Sequence, residues 1–260
     1  MCIANCIDQA FVAHLAAPPS VQLAESMPIL YFGNLEAYRR SAKRIITVAV
    51  NPSFAEFPTD DPWVRFPNGR RFWTHPPTVS ADRAAYRNEL DNYFEVAPSG
   101  WFKRGFEAAL AGFDASYWGT ATNRVLHTDL LTPIATKEQY SNREMEQHHA
   151  NLEKVGVPLW HSLIDLLEPH IAVISLNRKY LKTVAGTTLG SWVPIPGFKD
   201  KKWGAAGRDY DMEHQVMKLD SGWKMDVLYC PQWQESPLSS LTNGEKAKLA
   251  SCCAGKLTHF

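Results

Sequence analysis

The sequence predicts an α/β fold, a three-layer α/β/α sandwich around a central four-stranded parallel sheet. Four runs rich in β-branched and apolar residues occur at 43–50, 124–131, 170–176 and 224–230. Such short, continuously apolar runs suit strands buried on both faces of a parallel sheet. Segments with helical spacing lie between them, and strands alternating with helices imply a parallel sheet covered on both sides. The totals agree: 260 residues, 45% hydrophobic and 21% charged, are enough for one domain with a large core. That domain is expected over 1–260, with its core at about 43–241 and an extension at each end.

Taken in order, the first 17 residues are mildly apolar but lack a basic start, and Asp8 and His14 interrupt them. Neither a signal peptide nor a transmembrane span is expected. The first strand, Arg44-Ile45-Ile46-Thr47-Val48-Ala49-Val50, is stopped by Pro52. Asn51 therefore stands at its carboxyl end, where parallel sheets hold their ligands. Helices are expected over 81–94, behind a cap at Ser80, and over 101–111. Ser141-Asn142-Arg143-Glu144 reads as a capping box opening a long helix towards Leu167, with Pro158 expected to kink or break it. Thr242-Asn243-Gly244-Glu245 is a second capping box before a final helix. Residues 27–40 carry no clear pattern. Residues 187–222 contain Pro194, Pro196, Gly197, Gly204 and Gly207, so a long loop or a small excursion is expected there.

A formal net charge of zero argues against attachment to DNA or membrane by bulk charge alone. Local basic clusters escape that average: Gly69-Arg70-Arg71, and Lys199-Asp200-Lys201-Lys202-Trp203 followed by Arg208. Charge interleaved with aromatics suits backbone contacts plus base stacking, and nine Trp leave aromatic surface beyond the needs of a core. The five Cys form no C-x-x-C pair, which points to reduced, buried thiols in a cytoplasmic protein. Adjacent His148 and His149 face different directions on a helix, so no metal site is expected there or at His161. No cofactor is expected.

Two motifs resemble the uracil-DNA glycosylase superfamily, closest to its mismatch-specific and single-strand-selective branches. The first is Val50-Asn51-Pro52-Ser53 followed by Arg65-Phe66-Pro67-Asn68-Gly69-Arg70-Arg71-Phe72-Trp73. The second is Tyr229-Cys230-Pro231-Gln232-Trp233-Gln234-Glu235-Ser236-Pro237-Leu238-Ser239, similar to the family's His-Pro-Ser-Pro-Leu-Ser loop after the last strand. The likeness covers 43–241 in patches.

The resemblance implies a monofunctional DNA glycosylase that flips out a base and hydrolyses its N-glycosidic bond. It implies that Asn51 holds the attacking water, that Pro52 and Ser53 help bind the substrate, and that an aromatic near Phe66 stacks on the base. Phe54 or Phe57 could do the same work. On the second strand, Thr128 or Asp129 stands where the uracil branch has an Asn. Asp129, which only accepts, suits the amine of cytosine rather than the carbonyl of uracil. Gln234 stands near the place of the missing motif His, with Pro231-Gln232 or the remote His127 as substitutes. The likeness further implies that Ser236, Pro237 and Leu238 form the family's minor-groove loop, with Ser236 touching a phosphate and Leu238 wedging into the gap left by the flipped nucleotide. The basic clusters make Arg70, Arg71, Lys201 and Lys202 the expected contacts to the DNA backbone. DNA is the expected partner of a monomer that needs neither metal nor membrane. Two other readings stay open: a glycosylase for bulky modified cytosine in phage DNA, and a non-catalytic nucleic-acid-binding protein.

Overall fold

The first predicted strand begins the sheet: β1 (Ile45–Ala49) is buried at every position. The computed structural model describes residues 2–184, 186–198, 201–203, 208–210, 212–231, 237–238, 241–253 and 255–258. Through them run α1 (Ile3–Ala16), α2 (Leu35–Arg40), β1, α3 (Ser80–Asp91), α4 (Tyr93–Val96), α5 (Gly100–Gly105), α6 (Glu107–Ala111), β2 (Ala115–Ser116) and β3 (Asn123–Asp129). Then follow α7 (Arg143–Leu167), β4 (Ile171–Leu176), β5 (Thr187–Thr188), β6 (Val193–Pro194), β7 (Lys201–Trp203), β8 (Arg208–Tyr210), β9 (Glu213–Lys218), β10 (Lys224–Pro231) and α8 (Asn243–Cys253). The fold is mixed α/β.

The four expected strands are β1, β3, β4 and β10, but the sheet does not stop at four. Its order is β2-β3-β1-β4-β10-β9-β5, with β6 also on β9, making eight strands. The β4 strand pairs parallel with β1 and with β10. The β9 strand runs antiparallel to β10, with Lys218 opposite Lys224. The segment expected to be a loop thus supplies β5 to β9. Pro194 lies within β6 itself and Pro196-Gly197 in the turn after it, and Gly222, at φ +90°, lies in the β9–β10 connection, where a left-handed residue favours glycine. A separate hairpin pairs β7 with β8.

Contacts divide the chain into two compact units, each assembled from three stretches. The first contains Met1–Asn34, Val50–Ser99 and His127–Leu166, and the second contains Leu35–Ala49, Gly100–Leu126 and Leu167–Phe260. In the first, Phe11, Phe72 and Tyr86 pack edge to face. Burial beside them lowers the His14 imidazole to about 4. In the second, Thr47 and Tyr117 share a buried hydroxyl–hydroxyl bond at 2.5 Å.

Helix boundaries follow local chemistry. Thr242 Oγ1 accepts from Glu245 N at 3.3 Å while Glu245 Oε2 accepts from Thr242 N at 2.9 Å, a complete capping box for α8. The expected helix over 101–111 is split at Phe106 into α5 and α6. Pro158 does not break α7, which continues through it for 25 residues. The burial of Leu152, Leu159, Trp160, Leu163 and Ile164 outweighs one lost backbone hydrogen bond.

Two other features limit what the sequence implied. No helix among the described residues is long and apolar enough to cross a membrane. All five thiols are free, and burial raises Cys6 to about 11 and Cys230 and Cys253 to about 12.

Gly156, inside α7, sets a close approach: a Cβ there would lie 2.0 Å from Leu131 O. Gly→Ala in a helix usually stabilises by about 0.8–1 kcal/mol. Here the sign reverses, and Gly156→Ala is expected to lower the melting temperature in a thermal scan. An unchanged or raised midpoint would contradict this packing.

Candidate functional site

The chain leaves β1 through Val50, whose carbonyl accepts from Leu131 N at 2.9 Å. Asn51 follows, half-buried. Its Nδ2 donates to Pro52 O at 2.7 Å and to Thr136 Oγ1 at 3.0 Å. Thr136 Oγ1 in turn donates to Glu138 O at 2.6 Å. Both carbonyls can only accept, so the relay has one possible direction, and the Asn51 amide cannot be turned over. Its Oδ1 takes no hydrogen bond among the described residues and stays available as an acceptor. The 134–138 segment is held in turn: Thr136 N donates to Pro52 O at 3.4 Å, and Thr136 bridges to Gln22.

Ser53 caps the 3-10 turn Phe54–Glu56, its Oγ accepting from Ala55 N at 3.1 Å. That turn sends Phe54 outward and Glu56 inward. Phe54 is 45% exposed. The Glu56 side chain is 7% exposed, and its Oε2 accepts a short hydrogen bond from Tyr93 Oη. Arg65 Nε lies 3.8 Å from the same oxygen. Arg65 also donates to Ala55 O at 3.1 Å and to Ala97 O, tying the turn to the end of α4. Burial raises the Glu56 carboxyl to about 7, although Tyr93 and Arg65 oppose the rise and nearby Asp129 adds to it. Burial, and then the Glu56 charge, push the Tyr93 phenol well above its ordinary range.

Asp129 ends β3. Its side chain is 3% exposed, and His127 Nε2 lies 3.6 Å from its Oδ1, an ion pair only when the imidazole is protonated. Its carboxylate oxygens take no hydrogen bond among the described residues. Alternation along the strand puts Thr128 on the other face, where its Oγ1 accepts from Trp160 Nε1 at 3.0 Å. Thr128 is therefore engaged by α7, and of the two candidates Asp129 keeps a free acceptor. Phe32 pairs its backbone with His127 and packs its ring against Tyr93 and His127.

Other expected residues fare differently. Phe66 is 0% exposed, packed between Phe57 and Tyr93 with ring centroids 5.4 Å from each. It offers no face to a base in this structure, because its aromatic neighbours already cover it. Phe57 is buried as well, and of the three aromatics only Phe54 is exposed. Pro52 is buried, its carbonyl serving Asn51. Arg70 and Arg71 are exposed on the 3-10 turn Gly69–Phe72, with Arg71 4.6 Å from the Phe72 ring centroid.

In the second unit, Leu238 is not the exposed wedge expected of it. It is 0% exposed at φ +52°, and its N–H donates to Ser175 Oγ at 2.9 Å. Pro237 is also buried, close against Gly105, where a Cβ would lie 2.2 Å from Pro237 Cγ. Their side chains serve packing. Gln234 and Ser236 lie outside the described residues, as do the side chains of Lys201 and Lys202, whose backbone forms β7. Among the described residues no cluster of His, Cys, Asp or Glu is arranged to hold a metal ion.

Sequence reasoning missed Glu56 and Tyr93. Glu56 is one acid between Ala55 and Phe57, and only long-range packing reveals its burial. The one local signal was its place on the turn beside Asn51.

Glu56 also sets a pH dependence of stability. Its folded value, about 7, exceeds the unfolded value near 4.3, so the folded state binds the proton more tightly. Its stabilising contribution is present below about pH 4 and is lost as pH rises to 7. Glu56→Gln, which keeps an acceptor for Tyr93, should therefore raise stability at pH 8 by up to roughly 3 kcal/mol and change little at pH 4. Denaturant unfolding at the two pH values checks this, and equal effects at both would refute it.

No protein-family model matches the chain and no curated protein matches it.

Proposed function

We propose that this protein is a monofunctional DNA glycosylase that hydrolyses the N-glycosidic bond of an extruded, damaged or modified pyrimidine. The observation that carries the reading is the Asn51 amide. Its N–H groups are committed to Pro52 O and Thr136 Oγ1, which leaves a fixed carbonyl oxygen at the end of β1 to accept a hydrogen bond from water. In the finer form of the reading, helices cover both faces of the sheet, and the chain works as a cytoplasmic monomer on DNA.

The reaction suits an amide. The C1′–N bond breaks first, and its electron pair leaves with the base. The water held by Asn51 Oδ1 then adds to the cationic C1′ and gives up a proton to solvent or to the departing base. An abasic site remains. Because the sugar is already cationic when water adds, a strong general base is not required. Phe54, three positions beyond Asn51 and exposed, is the stacking surface, a contact worth about 1–3 kcal/mol that depends little on base identity. Arg70 and Arg71 hold phosphates. Asp129 accepts from the base edge, which favours an amine-bearing cytosine-type base over uracil.

The test is incubation with oligonucleotides carrying uracil, thymine mismatches and modified cytosines, followed by alkali and by mass measurement of the released base. Asn51→Ala should lower the rate about 10²–10⁴-fold. Phe54→Ala should weaken substrate binding with a smaller loss of rate. Binding to DNA without alkali-labile sites on any substrate would instead indicate a nucleic-acid-binding protein without the chemistry.

A further inference from the structure

A buried carboxylate holds the basic turn Gly69–Phe72 without pairing with either of its arginines. Glu89 of α3 is 5% exposed. Its Oε2 accepts from Asn68 N at 2.9 Å and its Oε1 accepts from Asn68 Nδ2 at 3.0 Å. A buried Glu is ordinarily paired with a cation, and Arg70 and Arg71 follow close behind Asn68. Both are nevertheless exposed, and neither forms an ion pair among the described residues. The turn is fixed at two further points. Gly69 lies tight against the interior, where a Cβ would meet Phe66 Cβ at 2.9 Å and Trp63 Cζ3 at 3.1 Å. Phe72 is buried against Phe11 and Tyr86. Asn68, Gly69 and Phe72 are thus anchored, and the two guanidiniums between them are left to solvent. Residues 62–81 hold three Arg and no Asp or Glu, a local positive charge in a chain of zero net charge.

We propose that this turn is a preformed platform for the phosphodiester backbone, and that Glu89, acting through Asn68, positions Arg70 and Arg71 on it. The inference rests on the reading of DNA as the partner and deepens it. A guanidinium meets a phosphate through a fixed fork of N–H groups, so the direction in which its backbone presents it matters. An arginine on a loose loop must give up backbone as well as side-chain freedom when it binds. On a turn clamped beforehand, only the side-chain share remains. A carboxylate beside a phosphate site would repel the ligand if it were exposed. Here it is buried, and both its oxygens are engaged by the two N–H groups of Asn68. Glu89 itself touches no phosphate and is a positioning residue.

The experiment measures binding of the full-length protein to a fluorescein-labelled DNA duplex, by anisotropy, between about 50 and about 200 mM NaCl. Each phosphate contact adds about 0.9 to the slope of log Kd against log salt, so Arg70→Ala and Arg71→Ala should each lower the slope by about that amount. Glu89→Ala keeps both arginines and removes an anion. By charge alone it would tighten binding to DNA. With Asn68 released, binding should instead weaken and the slope fall by about 1. Glu89→Gln is the rescuing variant: its Oε1 accepts from Asn68 N, and its Nε2 donates to the Asn68 amide oxygen once that amide turns over. Its slope should stay at the wild-type value. In a chain already carrying Arg70→Ala and Arg71→Ala, Glu89→Ala should lower the slope no further. Gly156→Ala, destabilised elsewhere in the same unit, should keep the wild-type slope. Unchanged or tighter binding by Glu89→Ala would overturn the proposal, as would equal weakening by Gln and Ala. A slope indifferent to both arginines, or lowered as much by Gly156→Ala, would overturn it too. In any of these cases alkali-labile sites in a damaged or modified substrate would sustain the glycosylase reading. The expected slopes without base release would sustain the platform alone, and a wild type that neither binds DNA nor releases a base would remove both.

Discussion

One hydrogen-bond relay governs the candidate site. Asn51 Nδ2 donates to Pro52 O and to Thr136 Oγ1, and Thr136 donates onward to Glu138 O. A carbonyl cannot donate, so each proton in the relay has only one place to go. An isolated Asn at a strand end would sample both amide orientations. This one cannot, and its oxygen is fixed in advance of any ligand. Preorganised dipoles of this kind do their work without reorganising when charge develops.

The turn after Asn51 is held with similar firmness by different means. Glu56 points inward to Tyr93 and Arg65, and Arg65 ties Ala55 and Ala97 together. A half-neutral acid in a buried, aromatic-lined position is a poor choice for stability alone, since a buried ionisable group destabilises the fold over part of the pH range. Strongly perturbed carboxyls of this kind concentrate at functional sites. Glu56 occupies one such position, within a unit whose aromatic packing runs through Phe57, Phe66, Tyr93 and Phe32.

Aromatic packing also decides which ring is available. Phe54, Phe57 and Phe66 are equivalent as residue types, but Phe57 and Phe66 stack on one another and Phe66 packs on Tyr93. Buried apolar area is gained by closing that stack. Phe54 is the ring left outside it. At the other end of the chain, Leu238 is drawn inward by the same effect. Its left-handed backbone, uncommon for a residue with a side chain, is compensated by full burial and the bond to Ser175.

Local patterns alone determined the four principal strands, the place of Asn51 at a strand end and the α8 capping box. Each depends on residues adjacent in sequence: β-branched runs, a proline stop, and a Thr and a Glu three positions apart. Strand alternation also implied that Thr128 and Asp129 face opposite ways, but not which way, because that depends on where Trp160 of α7 lies. The antiparallel β9 was hidden by the Pro and Gly residues around it, since a strand held between β10 on one side and β5 and β6 on the other is specified by its partners more than by its own composition. Burial of Glu56, exposure of Phe54 and inward packing of Leu238 were decided by tertiary structure, because solvent access is a property of everything packed around a residue and no window of sequence contains it.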